Sequence, residues 1–343
     1  MRINCVRLRH PSLKEPVGFA YDTVTAMINH SCDPNSVLFF EGRELRLRAL
    51  KKIDADREIT ISYLDPTLTV ASRQAFLSRE YFFECRCKCP NLYCRRSKGQ
   101  YSDQARQPGK RCKSELAEEH YLTKVSNTWP ALLQAQEDIR RLIKGAVRAS
   151  NYPGIYPAFE DLPTVETKLR TIIAKALPRN NPWPDHMEPL PSARLSIALL
   201  YLRQDKPIRA LRNALAGKLL STRTDPGEPE WVNETFDVVV TVLVAAGSVP
   251  PDAAALEDKK FPKLEDIRTM AYGYLFAACR GAEKAFGKDC RYTLEMKEMM
   301  DDMVKKKTDS VLPGTVKFAS EFAAAQKRTL EWAGIPKEHG ISI

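Results

Sequence analysis

The residues best suited to chemistry lie in the first hundred positions, where histidine, cysteine, asparagine and tyrosine occur close together. Residues 28–35 read Ile-Asn-His-Ser-Cys-Asp-Pro-Asn, in which Pro34 favours a turn and the Asn and Asp side chains suit local backbone hydrogen bonds. One histidine and one cysteine in such a turn are ordinarily structural. Two later segments point to a functional site instead: the run Glu58–Tyr63 and the aromatic, cysteine-rich run 81–94.

The cysteines cluster in a way that is typical of metal ligation. Of the nine cysteines, six lie between Cys32 and Cys112, and four of these fall between Cys85 and Cys94. Met1–His10 has no apolar region of a secretory signal, so we expect a reducing compartment rather than disulfides. Zinc takes four thiolates in a closed, structural tetrahedron. A group of thiols without a metal is the alternative.

Short strands and one helix are predicted to position these residues. Val37–Phe40 ends at a Glu-Gly turn signal, and Glu44–Leu50 alternates polar and apolar residues, so the two runs predict a β-hairpin. The β-branched run Glu58–Tyr63 predicts a third strand. A helix is predicted over 71–82, leading into the cysteines.

The chain changes to helical patterns after about residue 115. Helices are predicted at 116–150 with a kink near Pro130, 165–177, 191–203, 206–222, 229–247, 263–287, 289–307 and 316–333. Alanines in the pair 191–203 and 206–222 favour close helix packing, as in tetratricopeptide units. Because no repeat of about 34 residues is found, a generic helical domain and a true repeat array both remain open.

Together the three N-terminal segments resemble the C-terminal half of the SET methyltransferase domain, above all in the SMYD group. The resemblance rests on Asn-His-Ser-Cys-x-Pro-Asn at 29–35, Glu-Ile-x-x-x-Tyr at 58–63 and Tyr-x-Phe-x-Cys-x-Cys at 81–87, and it covers roughly residues 1–95. It implies an α+β fold: a partial, β-rich SET core with a post-SET zinc loop, followed by an all-α, tetratricopeptide-like C-terminal domain.

The activity implied by this resemblance is protein-lysine N-methylation from S-adenosylmethionine. The implied roles are cofactor binding by Asn4, Asn29, His30 and Phe83, a lysine channel formed by Tyr63 and Tyr81, and catalysis by Tyr63. Asn4 is matched through a less specific segment than the others. For Tyr81 and Phe83, packing in the core is an equally open interpretation.

In the family, three post-SET cysteines join the motif cysteine around a structural zinc ion, Zn2+. The implied ligands here are Cys32, Cys85, Cys87 and Cys94, with Cys89 as a rival for the last position. The usual Cys-x-Cys-x-x-Cys spacing is broken because position 90 is proline. A second alignment, through the Cys-x-Cys-x4-Cys spacing of other SET families, begins at Cys87.

The resemblance, the basic stretch and the start of the helical patterns together divide the chain. We predict residues 1–97 as the C-terminal part of the SET domain with its post-SET segment, 98–114 as a basic linker, and 115–343 as the helical domain. The family's first half, with its Gly-x-Gly segment and MYND finger, is not found, so a truncated gene product, a fragment and a degenerate homologue are the open interpretations. Asp56 occupies a turn position where the family has glycine, which suits positive φ better.

Two functional classes follow from these observations. The first is a protein-lysine methyltransferase acting on a histone or another protein; the second is a catalytically inactive SET-derived protein that binds partners through its helical domain. The net charge is +10, with basic residues concentrated at 95–113, yet we do not expect direct nucleic-acid binding. No apolar run is long enough for a membrane span. The resemblance implies a location in the nucleus, the cytoplasm or both.

Overall fold

The structure is a computed structural model that describes residues 5–8, 18–42, 44–64, 70–86, 129–151, 161–176, 183, 185, 189–219, 228–249, 260–305, 312–337 and 340–343. These residues divide into two compact units. The first gathers the described residues up to 86 with 228–233 and 280–295, and the second holds the remainder. The predicted domain boundaries at 97 and 114 fall outside the described residues and stay predictions.

The strands of the first unit form three two-stranded sheets. They are β1 (Cys5–Leu8) with β2 (Gly18–Tyr21), antiparallel; β3 (Asn29–His30) with β6 (Thr60–Ile61), parallel; and β4 (Ser36–Glu41) with β5 (Glu44–Ala49), antiparallel. The predicted hairpin is confirmed, with Phe40 opposite Leu45 and Ser36 opposite Ala49. The strand predicted over 58–63 is shorter, because only two of its residues pair with β3.

Helix α1 (Val70–Phe76) continues through a wider π turn (Leu77–Tyr81), which together match the helix predicted over 71–82. Such turns often occur at functional sites. The chain leaves the turn at Phe82, which is left-handed (φ 60°, ψ 29°) and 79% exposed. After this reversal Cys85 returns to the core, where it is buried.

The remaining described helices agree with their predicted positions to within a few residues. They are α2 (Trp129–Asn151), α3 (Leu162–Ala176), α4 (Leu190–Arg203), α5 (Pro207–Leu219), α6 (Pro229–Ser248), α7 (Leu264–Ala285), α8 (Arg291–Lys305) and α9 (Val316–Ala333). Residues 116–128 of the first predicted helix lie outside the described residues. None of the helices in the described part of the chain is long and apolar enough to cross a membrane.

Helices α4 and α5 pack closely, as their alanines predicted. Ala193 and Ala198 on α4 and Ala210 on α5 are all buried. A Cβ atom added at Gly217 would lie 2.8 Å from the carbonyl oxygen of Pro191, so this contact requires glycine. The tetratricopeptide-like arrangement as such remains a prediction.

Two charged side chains of the β4–β5 hairpin cap helix ends within the first unit. Glu41 accepts a hydrogen bond at 2.8 Å from the backbone N–H of Arg291, the first residue of α8. Arg48 donates to the carbonyls of Glu283 and Lys284, at the end of α7, at 3.2 Å each. The carboxylate and the guanidinium therefore bond to backbone groups at helix ends. The negative charge lies at the N-terminus of α8 and the positive charge at the C-terminus of α7, where each interacts favourably with the helix dipole.

The turn between α7 and α8 is shaped for this contact. Gly287 has φ +105°, and a Cβ atom there would lie 2.9 Å from Nη1 of Arg48. The rings of Phe39 and Phe286 meet edge to face with centroids 5.5 Å apart. The hairpin is thus joined to the helical turn by apolar packing as well as by charge.

Asp56 offers a test of the turn that leads to β6. Its φ is +62°, the positive value expected at a turn position where the family has glycine. We expect Asp56→Gly to raise the free energy of unfolding by about 0.5 kcal/mol, because glycine removes the left-handed penalty but adds unfolded-state entropy. Asp56→Ala should be less stable than either. Urea unfolding gives this order, and an alanine variant more stable than the glycine variant would contradict it.

Candidate functional site

The predicted site residues that the structure describes, apart from Asn29 at the edge, surround one small core in the first unit. Leu64, Leu77 and Cys85 form this core, and packed against it are Cys32, Tyr63, Phe76, Tyr81 and Phe83. The turn of residues 29–35, the tyrosine at 63 and the thiol at 85 therefore meet. Asn4, Cys87, Cys89 and Cys94 lie outside the described residues, so their assigned roles stay predictions.

Parallel pairing of β3 with β6 brings the motif next to Tyr63. The backbone N–H of Ser31 extends the pairing by donating to the carbonyl of Ile61 at 2.9 Å. Two residues later, the backbone N–H of Tyr63 donates to Nδ1 of His30 at 3.1 Å. The imidazole is therefore fixed against the chain segment that carries the tyrosine.

Asn35 holds the same two segments together, a role that the sequence interpretation missed. Its Nδ2 donates to the carbonyl of Glu58, and its Oδ1 accepts from the backbone N–H of Thr60, both at 2.8 Å. These side-chain bonds satisfy backbone groups just before and at the start of β6 without a partner strand. The available signal was the asparagine that closes the Asn-His-Ser-Cys-x-Pro-Asn motif.

The hydroxyl of Tyr63 has a defined partner. It donates to the carbonyl oxygen of Ile28 at 2.7 Å, and the side chain is half-buried. Burial, followed by the nearby Tyr81 and Glu58, raises the pKa of Tyr63 above its ordinary value of 10.0. The group is thus a neutral phenol at physiological pH, suited to hydrogen bonding and not to proton abstraction.

Aromatic rings form one wall of the cluster. The centroid of Tyr63 lies 4.8 Å from that of Tyr81 and 6.5 Å from that of Phe83. The His30 ring lies 5.3 Å from Tyr63 and 6.1 Å from Phe83. Aromatic faces attract cations and pack against methylene groups, so this wall suits an alkyl chain that ends in a positive charge.

Polar groups stand at the exposed edge of the cluster. The side chain of Asn29 is exposed and donates from Nδ2 to Oε1 of Glu58 at 2.6 Å. Glu58 is exposed too, so an amide and a carboxylate lie beside each other, within reach of solvent. They provide a donor and an acceptor for a polar ligand.

Two thiols and an imidazole form a compact group. Sγ of Cys32 lies 3.7 Å from Sγ of Cys85 and 3.3 Å from Nε2 of His30, and the three ligand atoms lie within 4.8 Å of one another. A tetrahedral zinc ion with bonds of about 2.3 Å separates two sulfurs by about 3.8 Å. The separation of the two thiols therefore fits one edge of a zinc tetrahedron.

Gln74 on α1 positions Cys85, and this role too was missed. Its Nε2 donates to the carbonyl of Cys85 at 3.1 Å, and its Oε1 accepts from the backbone N–H of Cys85 at 3.0 Å. The side-chain amide of Gln74 thus pairs with the N–H and the carbonyl of Cys85, as a backbone neighbour in a β-sheet does. A lone glutamine eleven residues before a cysteine gives no sequence signal for such a contact.

This clamp makes a second prediction. Gln74→Glu keeps the acceptor but sets a carboxylate against the Cys85 carbonyl, so we expect the free energy of unfolding to fall by about 2 kcal/mol. Gln134→Glu is the control, since Gln134 is exposed and, within the part of the chain that the structure describes, bonds Asp138 on its own helix. There the like charges should cost at most about 0.5 kcal/mol. Equal losses in denaturant unfolding would show that the clamp has no special role.

Comparison with known proteins agrees with this geometry. Residues 11–64 match the family model described as SET domain. Histone-lysine N-methyltransferase ASHR1 of Arabidopsis thaliana is 41% identical over 78 residues, which are 22% of this chain and 16% of that protein. Histone-lysine N-methyltransferase SMYD3 of Mus musculus is 42% identical over 73 residues, 21% of this chain and 17% of that protein. SET domain and MYND-type zinc finger protein 6 of Schizosaccharomyces pombe is 36% identical over 92 residues, which are 26% of this chain and 19% of that protein.

The matches therefore span less than a fifth of each of these three relatives. The family region contains the 29–35 motif and Tyr63, whereas Cys85 lies beyond it. With the cluster described above, these findings lead to one conclusion. Residues 11–64 match the SET domain, and over about a fifth to a quarter of its length the chain is similar to the SET and MYND proteins compared above.

Proposed function

We propose that the protein is an S-adenosylmethionine-dependent protein-lysine N-methyltransferase whose site is the cluster around Tyr63. The observation that carries the proposal is the meeting of His30, Tyr63 and Cys85 in a segment that overlaps the SET-domain match. The aromatic wall and the neutral phenol each have a use in this chemistry, and the paired thiols have a structural one.

The exposed edge of the cluster is the proposed cofactor side. S-adenosylmethionine supplies a methyl group on a cationic sulfonium. Asn29 and Glu58 offer an amide and a carboxylate to its polar groups, while the faces of His30 and Phe83 favour its apolar and cationic parts. Asn4 remains a predicted contact outside the described residues.

Tyr63 and Tyr81 are the proposed walls of the lysine channel. Methyl transfer is an in-line displacement, and alignment of the reacting atoms within about 3–3.5 Å supplies much of the rate. An apolar aromatic channel lowers the pKa of a lysine amine by desolvation, which favours the nucleophilic form. Because Tyr63 commits its proton to Ile28, its oxygen is left as an acceptor that orients the amine N–H.

The thiols are the proposed anchor of a structural zinc ion. Cys32 and Cys85 would supply two ligands, and Cys87 and Cys94 the others, with Cys89 as the rival of Cys94. Four protein ligands leave no open position, so the ion would fix the post-SET segment beside the aromatic wall and take no part in the chemistry.

The proposed substrates are lysine side chains of a histone or another protein, and the helical domain predicted over 115–343 is the proposed site for partner binding. The predicted division at 1–97, 98–114 and 115–343 and a nuclear or cytoplasmic location belong to the same proposal.

The test uses the whole chain with methyl-labelled S-adenosylmethionine and a panel of histones and other proteins. We expect label on lysine, identified by mass spectrometry, micromolar cofactor binding by calorimetry, and about one zinc per chain by metal analysis. Binding without transfer would leave substrate identity as the missing part. A chain that does not bind the cofactor is the inactive interaction protein that the sequence left as the alternative.

A further inference from the structure

The imidazole of His30 lies between two parts of the site that have different tasks. On one side, Nδ1 is 3.1 Å from the backbone nitrogen of Tyr63. On the other, Nε2 is 3.3 Å from Sγ of Cys32. One ring therefore spans the distance from the tyrosine to the thiol pair.

The two contacts fix the tautomer. A backbone N–H can only donate, so Nδ1 accepts the bond from Tyr63 and carries no proton. The proton of a neutral imidazole is then on Nε2. That N–H points at Cys32, and a thiolate is a good acceptor for it.

This tautomer separates His30 from the metal ligands. Nε2 lies within 4.8 Å of both thiols, so by distance alone the histidine completes a three-ligand group. A ligand nitrogen must offer a lone pair, however, and the lone pair of the neutral ring is already used on the Tyr63 side. This agrees with the proposed ligand set, in which Cys87 and Cys94, with Cys89 as the rival of Cys94, supply the other thiolates.

The ring is held in this orientation from several sides. Tyr63 and Phe83 flank it with centroids at 5.3 and 6.1 Å. The β3–β6 pairing and the Ser31 to Ile61 bond fix its backbone. A side chain this constrained transmits a displacement of one partner to the other.

We propose that His30 is a positioning residue that couples the metal thiolate of Cys32 to the backbone of Tyr63. Its Nε2–H stabilises the sulfur's negative charge, and its Nδ1 fixes the amide of the residue whose hydroxyl orients the lysine. The inference rests on the proposed function and adds that metal loading and tyrosine placement are linked through this ring. Hydrogen bonds to ligand atoms of this kind typically change metal affinity 10–100-fold.

Two substitutions of His30 test the contacts of Nδ1 and Nε2 separately. In His30→Asn the amide occupies the Nδ1 side, so it can accept from the Tyr63 N–H but cannot reach Cys32. In His30→Gln the amide reaches the Nε2 side and can donate to Cys32, but it leaves Tyr63. We expect zinc affinity, measured by chelator competition, to fall about 10–100-fold in the Asn variant and to be largely restored in the Gln variant. The Gln variant should instead lose the hydrogen bond from the backbone N–H of Tyr63, which a shift of the Tyr63 amide resonance in proton–nitrogen NMR reports.

The unaltered protein provides the decisive readout. Long-range proton–nitrogen NMR of the full chain, loaded with zinc and with cadmium-113, reports the tautomer of His30 and any bond between metal and nitrogen. The expected result is a protonated Nε2 and no cadmium–nitrogen coupling. Coupling to Nε2, a protonated Nδ1, or equal zinc affinity in all three proteins would overturn the proposal. Because none of these measurements uses methyl transfer, an inactive enzyme would count against the proposed function and not against this coupling.

Discussion

Tyr63→Phe is expected to lower the rate of methyl transfer by about 100-fold or more while the protein keeps its fold and its cofactor binding. The substitution removes only the oxygen that donates to Ile28 at 2.7 Å. Without it, the amine loses the proposed acceptor that orients its N–H, and a misplacement of about 1 Å is enough for a loss of this size. The lost hydrogen bond itself costs about 1 kcal/mol of stability, which the fold should tolerate.

Tyr21→Phe is the matched control, because it makes the same chemical change on a tyrosine that is 66% exposed. Single-turnover rates and calorimetric cofactor binding should be measured for both variants. If Tyr63→Phe transfers methyl groups as fast as Tyr21→Phe, the assignment of Tyr63 as the orienting group is wrong.

The raised pKa of Tyr63 sets the expected pH dependence of the same rate. The fold stabilises the neutral phenol of Tyr63. Its contribution to the free energy of unfolding is therefore complete below pH 10.0 and is lost only as the pH rises through the higher pKa of the folded state. A rise in rate between pH 7 and 9 would therefore report deprotonation of the lysine substrate. The slope should be the same in the Tyr63→Phe variant.

Cys85→Ser is expected to remove zinc from the chain and to unfold the segment that follows α1. Serine keeps the size of the side chain, but a neutral hydroxyl is a far poorer zinc ligand than a thiolate, so we expect metal content to fall from about one per chain to near zero. The loss of metal also removes a contribution to folding, so the melting temperature should drop by several degrees.

The control for this variant is Cys279→Ser. Cys279 is buried to nearly the same degree as Cys85, with 8% against 6% of its surface exposed, and it lies on α7 in the second unit. The desolvation cost of the new hydroxyl is therefore similar, whereas zinc content should not change. Retention of zinc in Cys85→Ser would remove Cys85 from the ligand set and with it the proposed metal site.

Local patterns were sufficient to predict most of the elements. The hairpin at 36–49 and the helix boundaries follow from polar and apolar periods, which depend only on neighbours in sequence. The approach of residues 29–35 to Tyr63 was available from the family resemblance, because short motifs at fixed spacing imply a shared geometry. The assigned chemical roles go further than the geometry and remain to be measured.

Other parts of the site had no local signal. The clamp from Gln74 to Cys85 and the contacts of Asn35 depend on backbone groups that lie 11 and 25 residues away in sequence. The π turn before Phe82 follows no pattern that distinguishes it from an ordinary helical turn. In the sequence, a side chain that bonds backbone groups in place of a partner strand cannot be told from any other polar residue. This is also why the strand at 58–63 was predicted to be longer than it is: its β-branched residues were present, but the partner strand has only two residues.

The capped hairpin has a consequence for how the chain folds. Glu41 and Arg48 belong to a structure that forms within a few residues, yet their helix-end partners lie 250 and about 236 residues further on. Contacts that close such long loops form late and slowly, because the entropic cost of closing the loop comes before the contact can stabilise the fold. During synthesis the ring of Phe39 therefore lacks the contact with Phe286 until that residue has left the ribosome, so an apolar face of the hairpin is exposed over this long interval.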